Sequence, residues 1–554
     1  MQQLSVTDAT FLYLDSARAP MHVGGLLIYD PGDEPFNMDD MLEFYEERLH
    51  LAKAFRRRIV RVPLNLDHPY WIEDGDFDLE FHVRHTALPQ PGNWDQLCTL
   101  VGRLMSRPVD LSRPPWEVYI IEGLNDIPGL HAGCYATFTK VHHVAIDGVS
   151  GAELTAALHS LEPNAPPPNG ELDYDWEGER EPNPVELLTR AHLNNLRNPF
   201  RLGRTLANTV PALAKVSMGM MTRDIKPPSP PGHVPWTRFN GNVSPHRVFE
   251  GRVFDLDKMK AIKNGVDGAK LNDVVLAVVG GALHHYLNEH HELPEDSMIA
   301  LAPISTRTPE QMREEGNQIS FMTAKLGTDI DDPMERLTAV LESTQSSKAL
   351  THAVGANLLT DYLQFIPSSV AGMASRVISQ ILLANPISPS WNCVVTNVPG
   401  PQVPLYCGHA QLVQHYGLGP LFDGTGLNIA IFSYHGTLSI AINACRQMMP
   451  DPHFFADCLE HSFDELYKTV PKPKKAAGKK PASKKRSKSK AAKSGTAKKR
   501  ATSKRKPTAK AKAKAQSKQE ALSDNHGHEP ELEAPASEPE QSKPQEGGAG
   551  GSEA

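Results

Sequence analysis

No stretch of this 554-residue chain is apolar for long enough to cross a bilayer: the longest apolar run, around Val274 to Leu283, falls far short of the roughly 20 residues required. Met1 to Ala19 lacks both a basic start and a continuous apolar core, so no secretory signal is expected. Cysteine is scarce. The six (Cys98, Cys134, Cys393, Cys407, Cys445 and Cys458) show no CxxC spacing, which argues against a disulfide framework or a zinc motif and predicts reduced thiols in a cytoplasmic protein. Charge is sharply segregated. Residues 471–518 hold 21 Lys and Arg and no acidic residue, 519–554 hold nine acidic residues and one lysine, and 1–470 are left with a net charge of -21. The overall value of -8 is therefore a sum of three unlike parts.

What the chain does carry is His142-His143-Val144-Ala145-Ile146-Asp147-Gly148, with two imidazoles, a carboxylate and a glycine in one short stretch. The preceding Ala132 to Val141 mixes Cys, Tyr, Phe, Val and Thr with little charge and predicts a buried strand ended by an Asp147-Gly148 turn. Beyond it, Ser150 to Glu153 fits a capping box, with Leu154, Leu158 and Leu161 at helical spacing. The histidines would then sit on a short connection between two rigid elements, which can hold an imidazole in one orientation. A general base must be neutral at working pH and within reach of its proton, and histidine suits both needs. On the residues alone, either imidazole could be that base, and a histidine pair packed at a strand end is the alternative. Asp147 reads as a structural carboxylate paired with a cation, and Gly148 as the residue that lets the backbone turn.

HHVAIDG resembles the HHxxxDG signature of the acyl-CoA-dependent acyltransferases related to chloramphenicol acetyltransferase and to peptide condensation domains. Further segments resemble the bacterial wax ester synthase/diacylglycerol acyltransferases. They are Leu4 to Asp8 with Phe11-Leu12, Pro20-Met21-His22-Val23-Gly24, Pro114-Pro115-Trp116-Glu117 with Ile121 to Leu124, Leu271-Asn272-Asp273 with Gly281 to Leu283, Asn397 to Pro401, and Gly426 to Asn428 with Ser433-Tyr434. They keep the family's order from residue 4 to about residue 466. One departure is Pro115, where the family usually has Leu; Trp116 beside it reads as a core anchor, and the mismatch leaves acyl-chain or acceptor preference open.

The resemblance implies an α/β fold of two chloramphenicol-acetyltransferase-like lobes with the reaction centre in a channel between them. It implies acyl-CoA as donor and diacylglycerol or a long-chain alcohol as acceptor, giving triacylglycerol or wax ester. His143 becomes the proton acceptor, His142 a supporting residue, Asp147 structural and Gly148 the turn. Asn272 is a candidate for the oxyanion or the channel, or else the N-cap of an apolar helix. Arg307 is a candidate partner for Asp147. Neither a cofactor nor a metal is implied. The histidines His284, His285, His290 and His291 have no companion ligands at fixed spacing, and a polar helix end accounts for them.

Strands mixed with helices in both halves independently suggest an α/β class. The expected organisation is an N-terminal lobe at 1–165, a linker with an amphipathic helical segment at 166–245, a C-terminal lobe at 246–470, a basic tail at 471–518 and an acidic end at 519–554. From Val185 to Met221, leucines alternate with Arg190, Arg197, Arg201, Arg204 and Lys215, which suits a helix packed across both lobes or lying on a membrane or lipid-granule surface. Arg252 to Leu256, Asn392 to Val398 and Asn428 to Tyr434 read as strands. The tail has too few large apolar side chains to fold. Anionic lipid, non-specific nucleic acid and the chain's own acidic body are its candidate partners. An acyltransferase peripherally associated with the inner membrane or lipid inclusions is the leading expectation. A non-catalytic protein tethering lipid granules to the nucleoid is the alternative.

Overall fold

The computed structural model describes residues 1–146, 155, 158–166, 178–196, 234–305, 319–354 and 389–470. Within these the strands form two six-stranded sheets and one of three strands. The first large sheet runs in the order β12 (Tyr406–Cys407), β13 (Ala410–Leu418), β2 (His22–Asp30), β7 (Tyr135–His142), β6 (Trp116–Glu122), β5 (Val83–Ala87). The second runs β10 (Ile319–Lys325), β9 (Ile299–Ser305), β11 (Cys393–Pro399), β14 (Leu427–Tyr434), β15 (Thr437–Cys445), β8 (Arg247–Asp255). The small sheet joins β1 (Gln2–Gln3), β4 (Tyr70–Glu73) and β3 (Arg57–Val60).

One element crosses the expected division between the lobes. Strands β12 and β13 come from the expected 246–470 lobe and yet extend the first sheet, β13 pairing antiparallel with β2. The hydrogen bonds that direct this crossover involve the resembling segments. Tyr434 Oη accepts from Leu405 N–H at 2.8 Å and donates to Leu412 O at 3.0 Å, and Gly400 N–H donates to Ser433 Oγ at 3.3 Å. Gly400 has no room for a side chain, since a Cβ there would stand 2.3 Å from Ser433 O. Those segments therefore hold the point where the chain leaves one sheet for the other.

The second lobe is built around the helix Leu271–Glu289, whose residues from Asp273 to Leu283 are all buried. A helix apolar on every side must be covered on every side. It packs against the helices Pro333–Val354 and Pro452–Thr469, and a Cβ on Gly280 would meet Leu326 O at 1.9 Å, so only glycine permits that approach.

Several expectations need correction. The helix at 271 is N-capped by Lys270, not Asn272; Asn272 lies inside its first turn, and Asp273 accepts from Lys270 N–H at 2.8 Å. Leu256 opens the helix Leu256–Gly265 because Asp255 accepts from the N–H groups of Asp257 and Lys258 and ends the strand. Leu161 is exposed in a bend rather than helical. Of the amphipathic segment, 184–196 is helical and buries Leu187 and Ala191 on Val60, Val62, Tyr70 and Ile72, while its other leucines remain exposed; 197–233 lies outside the described residues. So do Asp147, Gly148, Arg307 and everything beyond Val470.

Candidate active site

The histidine pair ends β7 as the sequence suggests, and the two rings have different surroundings. His142 closes the strand opposite His22 of β2, and its N–H donates to Pro115 O at 2.8 Å. His143 begins the turn, its N–H donating to Met21 O at 2.8 Å. Two backbone bonds thus fix the loop to the segments Pro114-Pro115-Trp116 and Pro20-Met21-His22.

The His142 side chain is 2% exposed. Its Nδ1 accepts from Val144 N–H at 3.1 Å, which leaves the proton of the neutral ring on Nε2. That nitrogen faces Asp15 Oδ1 at 3.4 Å, an electrostatic contact rather than a short hydrogen bond. Asp15 Oδ1 is itself oriented by Met21 N–H at 2.8 Å. His143 is less enclosed, and its imidazole stacks on the ring of Phe11 with centroids 3.8 Å apart and planes 8° from parallel. Phe11 and Asp15 belong to one element, the helix Val6–Leu14 and its C-cap. Ser5 caps its start, Oγ accepting from Asp8 N–H at 3.1 Å, so Leu4 to Asp8 is the signal that launches the helix reaching both histidines.

Behind the strand lies a buried charge pair. Lys140 has no exposed side-chain surface and is held by Glu117 Oε2 at 3.1 Å, Arg107 O at 2.8 Å and Leu104 O at 3.3 Å. Burial pushes its ammonium below the ordinary lysine range while Glu117 opposes the shift. Burial, followed by the Lys140 charge, holds His22 well below the usual histidine value, so His22 stays neutral and bonds Met105 O at 2.9 Å. Trp116 is a core anchor, as expected: it is buried, donates Nε1–H to Phe55 O at 3.0 Å and stacks on His82 at 4.5 Å.

On the second lobe, Asn397 at the end of β11 donates Nδ2–H to Asn272 Oδ1 at 3.3 Å. Two resembling segments far apart in sequence thereby meet. The neighbouring Asp273 is buried, bonds Thr344 Oγ1 at 2.7 Å and secures the helix on Pro333–Val354, so its role is architectural. Asn428 is also architectural, its Oδ1 accepting from Gly419 N–H at 3.1 Å. Sequence reading named the histidines and Asn272 but missed Asp15 and assigned no role to Phe11; nothing in local spacing signals a contact between Asp15 and His142, 127 positions apart. The four clustered histidines do not converge: His284 bonds Thr328 O, His285 bonds Glu465, His290 bonds Asp451, and His291 takes a left-handed backbone turn.

Comparison with known proteins places this geometry in context. Residues 4–275 match the wax ester synthase/diacylglycerol acyltransferase catalytic domain, and residues 315–467 match the C-terminal domain of the same enzymes. A Mycobacterium tuberculosis protein named as a diacylglycerol O-acyltransferase is 32% identical over 468 residues, covering 84% of this chain and 90% of its own. Another from that species, similarly named, is 30% identical over 473 residues, covering 85% and 100%. The solved wax ester synthase/diacylglycerol acyltransferase from Marinobacter aquaeolei VT8 superposes with a TM-score of 0.60 at 25% identity, over 85% of this chain and all of that one.

Proposed function

The chain belongs to the wax ester synthase/diacylglycerol acyltransferase family, and from that premise we propose that it transfers a fatty acyl group from acyl-CoA to the hydroxyl of diacylglycerol or a long-chain alcohol. The observation that carries the assignment of roles is the inequality of the two histidines. His142 is enclosed and committed at Nδ1 to Val144, whereas His143 is partly open and braced by Phe11. His143 is the general base and His142 holds the loop.

In the proposed reaction His143 takes the acceptor's hydroxyl proton as the oxygen attacks the thioester carbonyl. The tetrahedral intermediate collapses, the carbon–sulfur bond breaks, and the CoA thiolate recovers the proton from the imidazolium. No covalent enzyme intermediate and no cofactor is needed, acyl-CoA being a substrate. Oxyanion donors are worth a few kcal/mol each in such steps. Asn272 is the candidate on the second lobe: with Oδ1 occupied by Asn397, its amide N–H groups are free to point elsewhere. Asp147 and Gly148 lie outside the described residues and keep the structural and turn roles that the family resemblance implies.

Acceptors of this kind reside in lipid, and the surface supports peripheral attachment to a membrane or lipid granule. Leu64 is 84% exposed on a left-handed turn with Leu66 beside it. Asn195 Nδ2 bonds Leu66 O at 3.0 Å, so the exposed Leu193 and Leu196 of the neighbouring helix are brought into the same region. Such clusters mark interaction sites more often than chance exposure. No helix among the described residues is long and apolar enough to cross a membrane. The basic segment 471–518 is assigned to anionic lipid, with nucleic acid as the alternative.

Incubating the purified protein with labelled palmitoyl-CoA and either hexadecanol or dioleoylglycerol tests the reaction and reveals the acceptor. His143→Ala should lose at least about a thousandfold in kcat with an unchanged circular dichroism spectrum, in line with removal of a general base and its positioning role. Turnover retained by that variant would sink the assignment.

A further inference from the structure

Away from the histidine loop, the helices Leu271–Glu289 and Pro452–Thr469 bring two imidazoles and a carboxylate together. His461 and Glu465 stand one turn apart on the second helix, and His285 faces them from the first. Glu465 serves both rings, with Oε2 2.8 Å from His285 Nε2 and Oε1 3.3 Å from His461 Nε2. The two rings meet edge on, with centroids 4.7 Å apart. One donor atom from each residue lies within 4.8 Å of the others.

We infer that this cluster is a binding site for one divalent transition-metal ion of the zinc type, taken by His285, His461 and Glu465. Two imidazole nitrogens and a carboxylate oxygen favour zinc and its neighbours over magnesium or calcium, which prefer all-oxygen shells. Tetrahedral ligands about 2.0–2.1 Å from zinc stand about 3.3 Å apart, so the observed separations need only small side-chain adjustments. On binding, each ring carries its proton on Nδ1 and offers the Nε2 lone pair, and Glu465 exchanges its hydrogen bond with His285 and its contact with His461 for coordination. The remaining position falls to water, because the side chains of His461 and Glu465 are 58% and 32% exposed. Among the described residues Glu465 makes no close ion pair with a lysine or arginine, and only the charge of the buried Arg336 acts on it from farther away.

A second group, Asp95, Glu250 and His453, has comparable spacing but a cation already in place. Arg252 Nη1 lies 2.8 Å from Glu250 Oε1, which also accepts from Trp94 Nε1 and Gly251 N–H. The guanidinium supplies the charge that a metal would bring, which makes that group a built-in control. At the inferred site the ion would join the last helix to the buried helix that carries Asn272 in its first turn.

Calorimetric titration of the full-length protein, purified without a histidine tag, with zinc chloride reads the site directly, together with Tm. The parent should bind zinc with micromolar affinity and gain several degrees in Tm at saturation, while magnesium gives no shift. The double variant His461→Ala/Glu465→Gln should lose at least tenfold in affinity and the Tm gain, and His453→Ala should keep both. Circular dichroism establishes that the double variant is folded, as the exposure of His461 leads one to expect. Zinc binding and a Tm gain equal in parent and double variant would overturn the inference, as would their absence from the parent. This readout does not depend on acyl transfer.

Discussion

The imidazole of His143 lies flat on the ring of Phe11, 3.8 Å between centroids, so the first helix of the chain supplies one wall for the proposed base. A stacked pair of this kind contributes about 0.5–1.5 kcal/mol beyond area burial. If the stack holds the base in its reactive orientation, Phe11→Ala should lower kcat roughly 2- to 12-fold by that energy, with KM nearly constant. Phe11→Tyr should restore the rate. A loss of kcat shared equally by Tyr and Ala would show that the stack does not position the ring.

Asp15 and His142 define a second relation, in which charge and hydrogen bonding can be separated. Asp15→Asn keeps an oxygen for Met21 N–H but removes the negative charge 3.4 Å from His142 Nε2. A charge contact of this length, without a hydrogen bond, is worth at most about 1 kcal/mol, so kcat should fall roughly 2- to 5-fold. Asp15→Glu should recover part of the loss. Steady-state kinetics of Asn and Glu variants with matched acyl-CoA binding check this, and an unaltered kcat in Asp15→Asn removes Asp15 from the positioning apparatus.

Beneath the strand, Lys140 and Glu117 form a pair that tolerates loss of neither partner alone. Glu117→Gln leaves an ammonium with no exposed surface facing only carbonyls, and breaking a buried pair in this way costs about 3–5 kcal/mol. Denaturant midpoints should fall accordingly. The double variant Lys140→Met/Glu117→Gln, in which no fully buried charge is stranded, Arg84 being partly exposed, and the glutamine still accepts from Tyr119, should regain more than half of the loss. Equal midpoints in the single and double variants would mean that the lysine escapes burial when unpaired.

Legibility in the sequence followed the range of the interactions. The strand before His142 and the strand from Asn428 to Tyr434 are readable because side-chain pattern and turn residues act within a few positions. The helix start at Asp255 was missed because one apolar residue, Leu256, continues a strand pattern as well as it opens a helix. The cap at Lys270 was missed for a related reason: the residue type preferred at caps, Asn272, stood two places along, and the helix instead used Asp273 to reach back to Lys270 N–H. Contacts such as Asp15 with His142, Asn272 with Asn397, and β13 with β2 depend on how distant segments pack, and no local pattern encodes them. The motif residues could be named early; which of them meet could not.

Acid should destabilise the fold through histidines that are neutral when buried, and His415 isolates the effect. It lies on β13, 8% exposed and 3.7 Å from the ring of Phe432, and burial, followed by the nearby His159, lowers its pKa from 6.5 to about 3. Above pH 6.5 neither folded nor unfolded chain protonates this ring, and its full contribution is present. As pH falls below 6.5 the unfolded chain binds a proton that the folded chain refuses, so stability declines until about pH 3. The total is on the order of 4–5 kcal/mol for this one group. His22 and His159, also lowered by burial, steepen the same decline. His415→Phe cannot take up that proton in either state. Plotted against pH, the difference in unfolding free energy between variant and parent should therefore be flat above 6.5 and shift steadily in the variant's favour toward pH 3, by up to one proton's slope. Parallel curves through that window would mean that His415 is already charged in the folded protein, and the packing of β13 against β14 would then need another account.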